Sequence, residues 1–192
     1  MREHPRIGKL TMTPDTRSFP ARPVKVWDVF VRLFHWGLVS CVALNQFVLE
    51  AGKTPHQWIG YTASALVLAR LIWGFVGSRH ARFSDFFPSP SRLRAHISAL
   101  REGRHPRYVG HNPVGALMML ALMAVVLALG VTGWMQGLDA FWGEEWLQDL
   151  HEVLANTLLW AAGLHAVAAI VMGRVERINL VQAMVTGIKQ PN

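Results

Sequence analysis

Residues Leu150 to Gly173 read LHEVLANTLLWAAGLHAVAAIVMG, an apolar run that carries two histidines. His151 and His165 stand fourteen positions apart, almost four turns of a helix at 3.6 residues per turn, so both side chains leave nearly the same face. Along the axis they are separated by roughly 21 Å at 1.5 Å per residue. The run is long enough to cross the ~30 Å hydrocarbon core of a bilayer, with one histidine near each edge. Ionisable side chains at such depths are candidates for function. A histidine satisfied within a packed core gives the same local pattern, so the rest of the chain has to decide between the two.

Three more runs are apolar and long enough to span a membrane, residues 29–49, 58–77 and 113–133, beside 150–173 itself. Together they account for most of the 52% apolar content of the 192 residues, which with eight tryptophans and only 16% charge is unlike a soluble domain of this length. The single cysteine, Cys41, lies inside the first run, which excludes a disulfide framework or a thiolate cluster and leaves a small packing residue. A formal charge of +7 raises nucleic acid as a partner. The basic residues flank the apolar runs, however, and membrane topology explains them without nucleic acid.

Seven of them precede or open the first run and seven lie between the second and third, with Arg174, Arg177 and Lys189 after the fourth. The first-to-second connection has only Lys53, and the third-to-fourth has Asp139, Glu144, Glu145 and Asp149 with no basic residue. This asymmetry predicts an all-α membrane protein, a bundle of four transmembrane helices with both termini cytoplasmic and the two short connections outside. Residues 1–25, polar and rich in Pro and Arg, read as a mobile arm before a membrane domain at 26–189. Two surface-lying amphipathic helices are predicted on the cytoplasmic side. One covers 90–103, with Leu93, Ile97 and Leu100 as its apolar face, and the other covers 179–188, capped by Asn179 and closed near Gly187. His4, His80, His96 and His105 fall in these polar parts and read as solvated, while Trp27, Trp58, Trp73, Trp134 and Trp146 sit near span ends like an aromatic belt.

With orientation assigned, the histidines fall into two pairs by depth: His35 with His165 on the inner side, and His56 with His151 on the outer. Imidazoles facing each other across a bundle suit a metal held in a plane between them, and haem iron with two axial histidines fits a four-helix core. Zinc fits less well because it takes four ligands, and each depth supplies two nitrogens. Arg70, fourteen residues after His56, lies at the inner depth, where an unpaired guanidinium costs at least ~2.5 kcal/mol; a haem propionate would satisfy it. Arg32 is placed to do the same or to snorkel to lipid phosphate. His111, in GHNP, either meets a propionate or caps the third span.

The motifs VWDVFVRLFHW, HQWIGYTASALVLARLIWGFVG, GHNPVGALMML and LHEVLAN…GLH resemble the bacterial cytochrome b561 family, which includes the b-type subunits of nickel-iron hydrogenases. The resemblance runs from about Val24 to Lys189. It implies a four-helix cytochrome of the bacterial inner membrane with two haem b groups, with His35, His56, His151 and His165 at the ligand positions and Arg70 at the position of the second-helix arginine. It also implies electron exchange between the quinone pool and a periplasmic redox protein, such as a cytochrome c or a hydrogenase-type subunit. Two rival readings use the same histidines: a self-sufficient quinone reductase fed at the outer face by a small reductant such as superoxide, and a non-redox metal-binding or transport bundle. Membrane lipid is a necessary partner, nucleic acid is not one, and a homodimer is left open.

Overall fold

A computed structural model describes residues 23–104, 106 and 108–190. Most of residues 1–25, the sequence-predicted arm, therefore lies outside the described residues, as does His105. Within the described chain the order is β1 (Val24–Lys25), α1 (Val29–Phe47), α2 (Thr54–Val76), α3 (Phe83–Phe86), α4 (Pro90–Arg101), α5 (Pro113–Met135), α6 (Glu145–Glu176), α7 (Leu180–Thr186) and β2 (Ile188–Lys189). Short 3-10 turns occupy Arg79–Ala81 and Asp139–Phe141.

Local chemistry sets the helix starts. The Asp28 carboxylate accepts from Val31 N at 2.8 Å, Asn112 Oδ1 from Gly115 N at 2.7 Å and Asn179 Oδ1 from Gln182 N at 2.8 Å, each satisfying one orphan donor of the first turn. Pro55, Pro90 and Pro113 occupy first-turn positions, where a missing N–H costs nothing. At the other end of α6, Arg177 turns left-handed (φ 54°) and Ile178 N bonds Gly173 O at 2.9 Å, so the chain reverses sharply into α7. Gly187 closes α7 at φ 83°, and a Cβ there would lie 2.6 Å from Trp27 O. Only glycine fits both conditions.

The long helices pack α1 on α2, α2 on α5 and α5 on α6. Their shared core is Phe34, Cys41, Ala63, Val67, Met123, Val126 and Leu158. Between the outermost pair, Gln46 Nε2 donates to Ala155 O at 3.3 Å, tying α1 to α6. Helices α2, α5 and α6 are long and apolar enough to cross a membrane; α1, at 19 residues the shortest of the four, carries Arg32, His35, Asn45 and Gln46. Leu33, Phe47, Ile72, Phe75, Trp160, Leu164 and Val167 point away from the bundle, as side chains facing lipid do.

One end of the bundle holds β1, β2, α3, α4 and α7, and is rich in arginine. Here Val24 pairs with Lys189 and Lys25 with Ile188 in an antiparallel ladder, so these two residues of the predicted arm are part of the folded body. Val26 N and Trp27 N both donate to Gly187 O. Beneath them Val26, Trp27, Val31, Ala81 and Ala183 form a second apolar cluster. Asp28 connects the parts, accepting from Trp73 Nε1 at 3.0 Å and from the Ser78 hydroxyl as well as from Val31.

Three sequence expectations change at this end. Trp27 is not in an aromatic belt but buried, with 4% exposure, because the strand pairing draws it under the C-terminal segment. Trp58, Trp134 and Trp146 do lie exposed at helix ends. His96 is buried rather than solvated and its Nδ1 lies 3.2 Å from the Tyr108 hydroxyl. The reason is the rotation of α4: Leu93, His96, Ala99 and Leu100 turn inward and Ile97, expected on the apolar face, is exposed. At the opposite end α6 begins five residues before the predicted span, so Glu145 and Asp149 are helical. Its 32 residues make a rod of about 48 Å, longer than a bilayer core, with polar residues in both its first and last turns.

Candidate cofactor-binding site

Four histidines from three helices point toward the interior. His56 is in the first turn of α2 and His151 two turns into α6, and their ring centroids lie 6.4 Å apart at an interplanar angle of 62°. Two metal–nitrogen bonds of about 2 Å, one from each ring, leave centroids roughly 6 Å apart. The pair is spaced to ligate one metal from opposite sides. On the flanks, Asn45 Nδ2 donates to His56 O at 3.1 Å, and Thr132 Oγ1 lies 2.8 Å from His151 Nδ1.

Toward the arginine-rich end stand His35 on α1 and His165 on α6, both half-buried. His35 Nδ1 and His56 Nδ1 are buried with no partner. A buried imidazole nitrogen left unbonded is costly, and these two rings lack at Nδ1 the partner that His151 has in Thr132. Among the described residues no three His, Cys, Asp or Glu side chains converge as a bare metal ion would need. Two imidazoles at one depth fit a metal whose other ligands come from a planar macrocycle.

The arginine-rich end adds donors. Arg70 is 1% exposed; Nη2 donates to Ala81 O at 3.0 Å while Nη1 is buried and unpartnered, and the guanidinium stands 5.6 Å from the Phe83 ring. It is thus half satisfied by backbone, with one nitrogen left for an anion. Arg32 does not snorkel freely: Nη1 donates to Thr186 O at 2.8 Å, the negative end of α7, and Nε is buried and unpartnered. His111 lies between Trp27 and Phe86, at centroid distances of 4.7 and 4.9 Å, with Nδ1 buried and unpartnered. Burial, then the positive neighbours Lys189 and Arg70 and the imidazoles of His165 and His35, push it down to about 3, so it is neutral. Lys189 donates to Tyr108 O (3.2 Å) and Gly110 O (3.1 Å), and burial lowers it to about 8 against the opposing pull of Glu176. Three unpartnered buried nitrogens, on Arg70, Arg32 and His111, suit carboxylates at the edge of a macrocycle.

Sequence reading had missed Thr132, because a threonine within an apolar run carries no signal until its helix faces another. It had also missed Gly133, where a Cβ would stand 3.3 Å from His151 Cε1.

Fold and site define a class: an apolar helical bundle with half-buried imidazoles along its interior, two of them, His56 and His151, opposite each other across it. The chain belongs to the prokaryotic cytochrome b561 family, whose family model matches residues 26–187. It is similar to proteins named as probable Ni/Fe-hydrogenase B-type cytochrome subunits. The Bradyrhizobium diazoefficiens protein is 27% identical, over 87% of this chain and 86% of its own length. The Rhodobacter capsulatus protein is 25% identical, over 85% and 80%. The Azotobacter vinelandii protein is 24% identical, over 66% of this chain, which spans 65% of that relative's length. No solved structure matches significantly. A b-type cytochrome carries haem b, and the residues present fit it.

Proposed function

We propose that this chain is a di-haem electron conduit of the bacterial inner membrane. It has four transmembrane helices (α1, α2, α5 and α6) with both termini in the cytoplasm, so the arginine-rich end is inner and the acidic end outer. His56 and His151 hold the outer haem b, and His35 and His165 the inner one. Haem b supplies reversible one-electron chemistry at iron. With two imidazoles offered at each site, the haem would serve transfer between sites rather than binding of a substrate. The roughly 21 Å rise from His151 to His165 would separate the two sites along the bundle. Arg70, with Arg32 and His111, holds inner propionates through the nitrogens that have no protein partner.

The redox partners follow from the ends of this path. Quinone dissolved in the membrane is one terminus. The other is a periplasmic redox protein, and the relatives' names, b-type cytochrome subunits of a nickel-iron hydrogenase, point to a hydrogenase subunit as its type. The superoxide reading fares worse at this surface, because Asp139, Glu144, Glu145, Asp149 and Glu152 are all exposed at the outer end and repel a small anion.

The His56–His151 pair carries the proposal. The test is a pyridine haemochrome assay on the purified membrane protein, with about two haem b per chain expected. One haem leaves a single working site and removes the conduit; none rejects the reading.

A further inference from the structure

The four imidazoles are not held alike. Among them His151 has a close side-chain partner at Nδ1, the Thr132 hydroxyl at 2.8 Å, whereas the Nδ1 atoms of His35 and His56 are buried without one. Thr132 is itself 6% exposed, in the last turns of α5. Its hydroxyl has one proton, and two helix carbonyls compete for it, Ala128 O at 2.9 Å and Leu129 O at 3.3 Å. With that proton directed along its own helix, Oγ1 meets the imidazole through a lone pair. His151 must then be the donor, with its proton on Nδ1. The neutral ring consequently keeps a free lone pair on Nε2, the nitrogen a metal would take. Gly133, next in the chain, clears the space for the ring: a Cβ there would stand 3.3 Å from His151 Cε1.

We infer that Thr132 is the positioning residue of the outer haem site, fixing the tautomer and ring plane of His151 from the neighbouring helix and so tuning that haem relative to the inner one. This rests on the haem reading above. A hydrogen bond from Nδ1–H to an oxygen makes the imidazole a stronger electron donor, which stabilises the ferric state and lowers the potential. The outer haem is therefore held lower by Thr132 than it would be with the hydroxyl removed.

The experiment compares the full-length protein with Thr132→Val, which keeps the shape and removes the hydroxyl, and Thr132→Ser, which keeps the hydroxyl. Midpoint potentials come from spectroelectrochemical titration and ligand geometry from low-temperature EPR; His151→Ala and His35→Ala identify which haem is which. In Thr132→Val the outer haem is expected to rise by the equivalent of a tenfold change in its oxidised-to-reduced ratio, about 59 mV for one electron. Its largest g value should shift, the inner haem should stay put, and Thr132→Ser should restore the native values. Loss of the outer haem in Thr132→Val but not in Thr132→Ser supports the same conclusion. Unchanged potentials and g values, a shift confined to the inner haem, or equal damage from valine and serine overturn it. The haem reading fails separately, if the unaltered protein lacks haem b or if His151→Ala retains both haems.

Discussion

At the scale of single residues, the pairing of the histidines is the sharpest consequence of the geometry. His56→Ala and His151→Ala are expected to abolish one and the same haem signal, and His35→Ala and His165→Ala the other, read by haemochrome content and redox-resolved spectra; cross-pairing of His35 with His151 would undo the assignment. Arg70→Leu is expected to leave both imidazole pairs standing while lowering the occupancy of the inner haem or moving its potential, since a propionate there would lose the Nη1 that has no protein partner. Asp28 gives a stability prediction. Burial works to raise its pKa, but hydrogen bonds from Ser78, Val31 and Trp73 and the charge of Arg70 outweigh it and hold the carboxyl below its ordinary value. A depressed folded-state pKa means that Asp28 stabilises the fold above its unfolded value, about 4, and loses that contribution as pH falls through the folded value. Asp28→Ala should cost about 1–2 kcal/mol at neutral pH from the lost cap alone. Thermal melts in detergent should show the gap between variant and parent narrowing below about pH 4. Spacing singled out His35, His56, His151, His165 and Arg70, because helical periodicity converts separation along the chain into face and depth; of these the structure sets His56 beside His151 and buries Arg70. Asp28 as a hub and His111 as a buried neutral ring were not legible in this way, since both depend on chain segments that meet only in three dimensions.

The long elements were the most legible, and for a physical reason: a segment that must satisfy its backbone in lipid is helical wherever it is long and apolar enough. Boundaries moved where polar residues continued a helix beyond the apolar run, as at Thr54 and Glu145. Helix α4 was found, but its rotation was misread, because Leu93, Ile97 and Leu100 offer an apolar stripe that competes with the His96–Ala99 face. The structure resolves that competition through Tyr108, whose hydroxyl meets His96. His96→Leu should therefore be tolerated better than Ile97→Asp only if Ile97 lies against lipid headgroups. Vesicle flotation of the two variants checks this, and equal membrane retention of Ile97→Asp and the parent would place that face of α4 in water. At the other end, the start of α6 presents Glu145, Asp149 and Glu152 on a rigid helix rather than a loop. Charges fixed in space make a directional field. Electron exchange with a basic periplasmic partner should slow as salt rises from about 10 to 150 mM, where the Debye length falls from ~30 to ~8 Å, and charge reversal at Glu144 and Glu145 should slow it without altering the haem spectra. A rate indifferent to salt removes any steering role from this surface.

For the whole molecule, orientation is the property on which everything else depends. Reporter fusions at the two short connections should be active only outside, and fusions in the segment between α2 and α5 only inside; the reverse result would exchange the inner and outer haems while leaving the pairs intact. Charge counting supplies the orientation proposed above. What it did not reveal was that the segment before α1 and the segment after α7 lie side by side, Val24 against Lys189. All four long helices separate these partners in sequence, so the ladder is a highly non-local contact, and its loop-closure cost is met only after the intervening helices are in place. It is a late event in assembly. Until then Trp27 lies uncovered, Gly187 O has not received its two backbone donors, and the Arg32 guanidinium has no α7 carbonyl to meet. The arginine-rich end therefore stays open while the long helices assemble, and closes when the last strand arrives. On that order of events the burial of Trp27 should mark the closing step.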